Sequence, residues 1–70
     1  MFQSYKDEHF ALRQTVEIMS GDGKSSVRVV ARCENISVAW AAFEAAKKHY
    51  SRDVLSLVDG ARIIATRFPD

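Results

Sequence analysis

From Phe10 onward, apolar and polar residues alternate along the chain. Phe10, Leu12, Val16 and Ile18 fall on one face, interrupted by Gln14, while Ala11, Arg13, Thr15 and Glu17 fall on the other. A period of two is that of a half-buried strand. Ser20-Gly21-Asp22-Gly23 breaks the run with two glycines and an aspartate, residues that take turn conformations at little steric cost. A second alternating run puts Val27, Val29, Ala31 and Cys33 on one face and Ser26, Arg28, Val30 and Arg32 on the other. Two such runs about a glycine-rich turn predict a β-hairpin.

The period then changes to that of a helix. Projected at about 100° per residue, Ile36, Ala39, Trp40, Ala46, Lys47 and Tyr50 gather within about 60° of Phe43. Six of these seven are apolar, and Lys47 can lay its methylene stem along the border. The spacing predicts a helix from Ile36 or Ser37 to Tyr50, with Asn35 and Ser37 both suited to cap its start. Lys47, Lys48 and His49 fall in the last turn, where positive charge suits the helix dipole.

A second hairpin closes the chain, with strands from Val54 to Val58 and from Ala61 to Phe68 about Asp59-Gly60, a strong short hairpin signal. Pro69 stops further pairing. A two-residue turn at Asp59-Gly60 sets Val58 opposite Ala61, Leu57 opposite Arg62, Ser56 opposite Ile63 and Leu55 opposite Ile64. One face then carries Val54, Ser56, Val58, Ala61, Ile63 and Ala65, and the other Leu55, Leu57, Arg62, Ile64, Thr66 and Phe68.

These elements predict an α+β fold: two β-hairpins flanking one amphipathic helix, in the order ββαββ, as an antiparallel sheet with the helix packed on one face. Residues 1–9 read as a polar amino-terminal arm, with Phe2 and Tyr5 as docking points, and residues 10–70 as a single domain. Both faces of the second hairpin are substantially apolar, and one helix covers one face of a small sheet. The other face is an interface, with a partner or in a homodimer, or the arm folds across it, or it amounts to a few scattered exposed residues.

Composition narrows the class. Hydrophobic residues make up 47% and charged residues 27% of the chain, which sets disorder aside. At seventy residues the core is small, so a partner or a second copy could add stability. A net charge of +1 suits neither strongly acidic DNA mimicry nor a large basic footprint for duplex DNA. One cysteine allows no internal disulfide, and the polar start lacks the apolar core of a signal peptide. The expected location is the cytoplasm, with no membrane association.

No catalytic constellation emerges. Gly21-Asp22-Gly23-Lys24-Ser25 ends like a phosphate-binding loop, but Ile18 stands where the first glycine is required and a strand follows in place of a helix. Cys33, His9 and His49 lack the paired spacing of a metal site. Cys33 as a nucleophile would need a base and an orienting group that the spacing does not supply. The carboxylates fall mostly in turns, tails and outward strand positions, and no pair stands as acid and base. The expectation is a protein that is not an enzyme and uses no cofactor and no metal.

The arginines carry more information. Arg13, Arg28 and Arg32 share the outward face of the first hairpin, while Arg62 and Arg67 lie on opposite faces of the second. A row of arginines on a sheet can track a phosphate backbone, which makes a small nucleic-acid-binding domain the alternative function. Glu17 shares that face, however, and no aromatic stacking platform does, since Trp40, Phe43 and Tyr50 belong to the helix stripe.

The layout resembles a known family. A turn with Asp22-Gly23-Lys24 and a strand ending Val29-Val30-Ala31-Arg32 lead to an alanine-rich helix, Ala39-Trp40-Ala41-Ala42-Phe43-Glu44-Ala45-Ala46. Tyr50-Ser51, the strand Val54-Leu55-Ser56-Leu57, Arg62-Ile63-Ile64-Ala65 and Phe68-Pro69 follow. Over about residues 10–69 this is similar to the small phage-encoded anti-CRISPR proteins that inhibit type I systems. The resemblance implies a non-enzymatic protein-binding module in the host bacterial cytoplasm. It would dock on a surveillance-complex subunit and block it by occupancy. Many relatives of that kind are acidic and this chain is not, which directs the expectation to protein contacts. Contact hot spots are expected among arginine and aromatic residues, here Arg28, Arg32, Arg62 and Phe68.

Overall fold

A computed structural model describes residues 13–69. The expected arm over residues 1–9, with Phe2, Tyr5 and His9, lies outside the described residues, as do Phe10 and Leu12. The elements are β1 (Gln14–Met19), β2 (Ser26–Cys33), α1 (Ile36–His49), β3 (Val54–Asp59) and β4 (Arg62–Arg67). The strands form one antiparallel sheet in the order β2-β1-β3-β4, so the predicted α+β architecture is the one observed. β2 and β3 each run antiparallel to β1, hence parallel to one another, and α1 is the crossover that joins them.

Local chemistry sets the element ends. The Asn35 side chain accepts a hydrogen bond from the Val38 N–H at 2.9 Å, which makes Asn35 the cap at the start of α1. At the other end the Tyr50 N–H donates to the Ala46 carbonyl at 2.8 Å. In the first turn Ser20 N–H donates to Ser25 O at 2.7 Å, and Gly23, with φ 76°, donates to Ser20 O at 2.8 Å. The Asp22 carboxylate accepts from the Ser20 hydroxyl at 2.6 Å and from the Lys24 N–H at 3.0 Å. These bonds, the Ser20 hydroxyl first, hold its pKa below the ordinary carboxylate value.

The helix lies over β1, β2 and β3. The core between them consists of Val16, Cys33, Ala39, Phe43, Ala46, Leu55 and Leu57. Leu55 and Leu57 are fully buried, each contributing about 1.5–3 kcal/mol by removal from water. On the opposite face Thr15, Met19, Val54, Ser56 and Val58 are also buried, so β3 is buried on both sides. Ser56 shares a 2.9 Å hydrogen bond with Thr66, and the Thr15 hydroxyl donates to Glu17 Oε2 at 2.6 Å.

Three expectations are corrected. The second hairpin pairs Asp59 with Arg62 and Val58 with Ile63, so its loop is Gly60-Ala61, one residue later than expected. Gly60, with φ 64°, takes the first loop position and Ala61 has a negative φ, the pattern of a type II′ turn. A bulge between Leu57 and Val58 then sets Leu57 opposite Ala65 and Ser56 opposite Thr66. Ala65 thus joins the helix side, and Thr66 moves to the other. In the first hairpin, register shifts between Val16 and Glu17 and between Ile18 and Met19 break the alternation of β2. Ala31, opposite Val16, packs toward the core, but Val29 lies opposite Glu17 on the far face.

The third correction concerns the helix stripe. The buried positions of α1 are Ala39, Phe43 and Ala46, whereas Trp40 and Ile36 are exposed. Alanines at 39 and 46 let the helix approach the sheet most closely along their own line. The buried stripe therefore centres on them, and the bulkier Ile36 and Trp40 move to its shoulder.

Candidate interaction surfaces

The structure separates the four residues expected at a contact. Arg28 pairs with Ile18 and lies on the helix side, its guanidinium carbon 5.8 Å from the centre of the Tyr50 ring. Arg32 pairs with Thr15 and lies on the other face, because the register shift between them changes the parity of the strand. The expected shared face of Arg28 and Arg32 therefore does not exist, and with it goes the row on which backbone tracking was argued. Arg62 stands beside Asp59 at the second turn, in an open depression lined also by Arg13 and Ala61. Arg13 Nε donates to Asp59 Oδ1 at 3.0 Å, and Gln14 Nε2 donates to the same oxygen at 2.9 Å. Phe68, 55% exposed, follows β4 and reaches the first turn, where a Cβ on Gly23 would lie 2.9 Å from its ring.

Exposed apolar side chains occur on both the sheet and the helix. Val27, Val29, Ile63 and Phe68 belong to the sheet, and Ile36, Val38 and Trp40 to the helix. Trp40 and Ile36 belong to the stripe that the helical spacing assigns to the core. Trp40 is 40% exposed, and its ring meets Phe43 edge to face at a centroid distance of 5.9 Å. On the other side of Phe43, the Lys47 ammonium sits 5.3 Å from the ring centre and pairs with Glu44 at 3.0 Å. Ile36 is one turn from Trp40 on the same shoulder. The signal that could have located this shoulder is the small-residue line Ala39, Ala42 and Ala46, which marks the side of closest approach.

The groups with reactive potential are held in structural roles or stand apart. Cys33 is a free, buried thiol, and burial pushes its pKa above the ordinary value, which keeps it protonated at neutral pH. His49 is exposed at the end of α1. Gly23-Lys24-Ser25 runs directly into β2, so no helix N-terminus stands behind it. Among the described residues, no three His, Cys, Asp or Glu side chains are placed to hold a metal ion, and no helix is long and apolar enough to cross a membrane. No protein-family profile, curated protein or solved structure matches the chain.

Proposed function

We propose that the chain is a non-enzymatic protein-binding module that acts by occupying its partner's surface. The observation that carries this reading is Trp40, a large aromatic two-fifths exposed on a helix shoulder and braced edge-on by Phe43. Tryptophans held in one orientation and partly open to solvent are the side chains that most often dominate protein contacts, because they bury much surface with little loss of freedom. Ile36 extends the same apolar strip, and Lys47 with Glu44 supplies a polar border. The division of Arg28 and Arg32 between two faces favours this reading over a sheet that tracks nucleic acid.

In its narrower form the proposal is an inhibitor that docks on a type I CRISPR surveillance complex, and the ββαββ layout is what supports it. The test is a gel shift of target DNA by such a complex, with and without the protein, beside a lane of protein on DNA alone. Loss of the complex's shift without a shift by the protein alone is the expected result, and Trp40→Ala should weaken inhibition roughly 30-fold, about 2 kcal/mol. An unchanged shift sets the DNA-blocking form aside. A shift by the protein alone overturns the protein-binding reading in favour of nucleic acid.

A further inference from the structure

We propose that the carboxy-terminal end of α1, with the strand ends beneath it, is a docking surface for an acidic segment of a partner protein. Tyr50, the residue that closes the helix, is its centre. Arg28 reaches the Tyr50 ring from β2, at one edge of the sheet. Arg67 comes from β4, at the other edge, and meets the backbone there, donating Nη2 to the Tyr50 carbonyl at 2.7 Å and Nη1 to the Ser51 carbonyl at 2.9 Å. Lys48 and His49 project from the last helical turn, and Arg52 from the turn that follows, all exposed.

The strand register places the two arginines. Arg28 pairs with Ile18, Ile18 with Leu55 and Leu55 with Arg67, so both arginines lie in one row across the sheet. Three strand spacings put their backbones about 14 Å apart, with the helix end between them. The helix dipole accounts for cations in the last turn of α1, but not for arginines arriving from two edge strands.

Among the described residues these charges are also unbalanced. Among the described residues the ion pairs are Arg13 with Asp59 and Lys47 with Glu44. Arg28, Lys48, Arg52 and Arg67 therefore hold no carboxylate there, and Asp53 is the one acidic residue in the adjoining turn. Arg67 is fixed by two backbone carbonyls, which take one N–H from each terminal nitrogen without neutralising its charge, and its buried Nε has no partner.

The chemistry favours carboxylates over a nucleic acid. Single-stranded nucleic acids gain much of their affinity by stacking bases on open aromatic faces. The Tyr50 ring already has Arg28 over it. Arg28 lies over the ring and Arg67 binds the backbone at its base, so the two arginines flank one helix end rather than line a groove. A guanidinium lying on an aromatic ring keeps its edge free for a two-pronged bond to a carboxylate. An extended segment of about five residues matches the roughly 14 Å between the backbones of the two arginines.

This inference rests on the protein-binding reading, and its test stands apart from the gel shift. The probe is a fluorescent peptide of about ten residues alternating Glu and Ala, long enough to cross the surface. A Gln/Ala peptide and a single-stranded oligonucleotide of equal charge are measured beside it by anisotropy. The acidic peptide should bind saturably and the Gln/Ala peptide should not. Lys48→Gln/Arg52→Gln, both at exposed positions, should weaken binding by roughly tenfold. Arg32→Gln/Arg62→Gln, the same change of charge at the far end of the sheet, should leave the affinity unchanged. Arg28→Ala should weaken the peptide too, with circular dichroism confirming that α1 is intact.

Absence of peptide binding overturns the proposal, as does an equal loss in the far-end variant, which would reduce the effect to net charge. Tighter binding of the oligonucleotide overturns it in favour of phosphate. A protein that inhibits the surveillance complex through Trp40 yet ignores the acidic peptide would keep the protein-binding reading and lose this one.

Discussion

β2 and β3 stand on either side of β1, run in the same direction and are both rich in valine, yet they differ in nearly every structural respect. β3 is buried along Val54–Val58 on both faces, polar Ser56 included. β2 is exposed from Ser26 to Val29, and Val27 is 68% exposed. Position in the sheet, not hydrophobicity, separates the two. β3 has a paired strand on each side and the helix on one face, while β2 has one paired strand and an open edge among the described residues. The edge strand breaks its register twice and alternates valine with arginine, both of which discourage unwanted strand pairing.

Point substitutions sharpen that contrast. Leu57→Ala, at a fully buried site facing the helix, should cost about 2–5 kcal/mol in chemical denaturation. Ser56→Ala should cost about 1 kcal/mol, since it removes the bond to Thr66 but leaves that exposed hydroxyl free to meet water. Val27→Thr, on the open strand, should change stability by no more than about 0.5 kcal/mol. A cost at Val27 approaching that at Leu57 would break the comparison, because it would mean that the β2 edge is covered in solution.

Most of the architecture is legible in the sequence because it follows from periodicity and punctuation. The two-residue period of Thr15 to Ile18, the glycines of the first turn, Asn35 as cap and the glycine of the last turn each act locally. What escapes is whatever depends on a partner across space. A bulge leaves the composition of β2 unchanged but reverses the side to which Arg28 points relative to Arg32. Asp59-Gly60 suggests one turn and the chain adopts another, with Gly60 first in the loop, because Asp59 pairs with Arg62 and holds Arg13 and Gln14. Trp40 reads as core on a helical projection, yet the closest approach of helix to sheet is set by the alanines.

Of the surfaces proposed here, the sequence gives notice of only a part. Arg28 could be singled out by residue type. Arg67 joins its row only through the register that runs from β2 to β4, and Tyr50 meets it only where the helix ends over the sheet. Trp40 as a contact residue is likewise invisible until the tilt of the helix is known.

The place of β1 between two strands joined by a helix bears on how fast the chain folds. On one side β1 meets β2 across a short turn, with Met19 opposite Ser26. On the other it meets β3, and Gln14 bonds to Asp59 from 45 positions away. The first hairpin closes on the microsecond scale, about 1–10 μs. The second seam must wait for the helix to carry the chain across, and it bears the loop-closure entropy of the whole interval before any contact rewards it. Closure of the β1–β3 seam is therefore the entropically costlier of the two steps. Until it closes, β1 presents an unpaired edge to any other chain nearby.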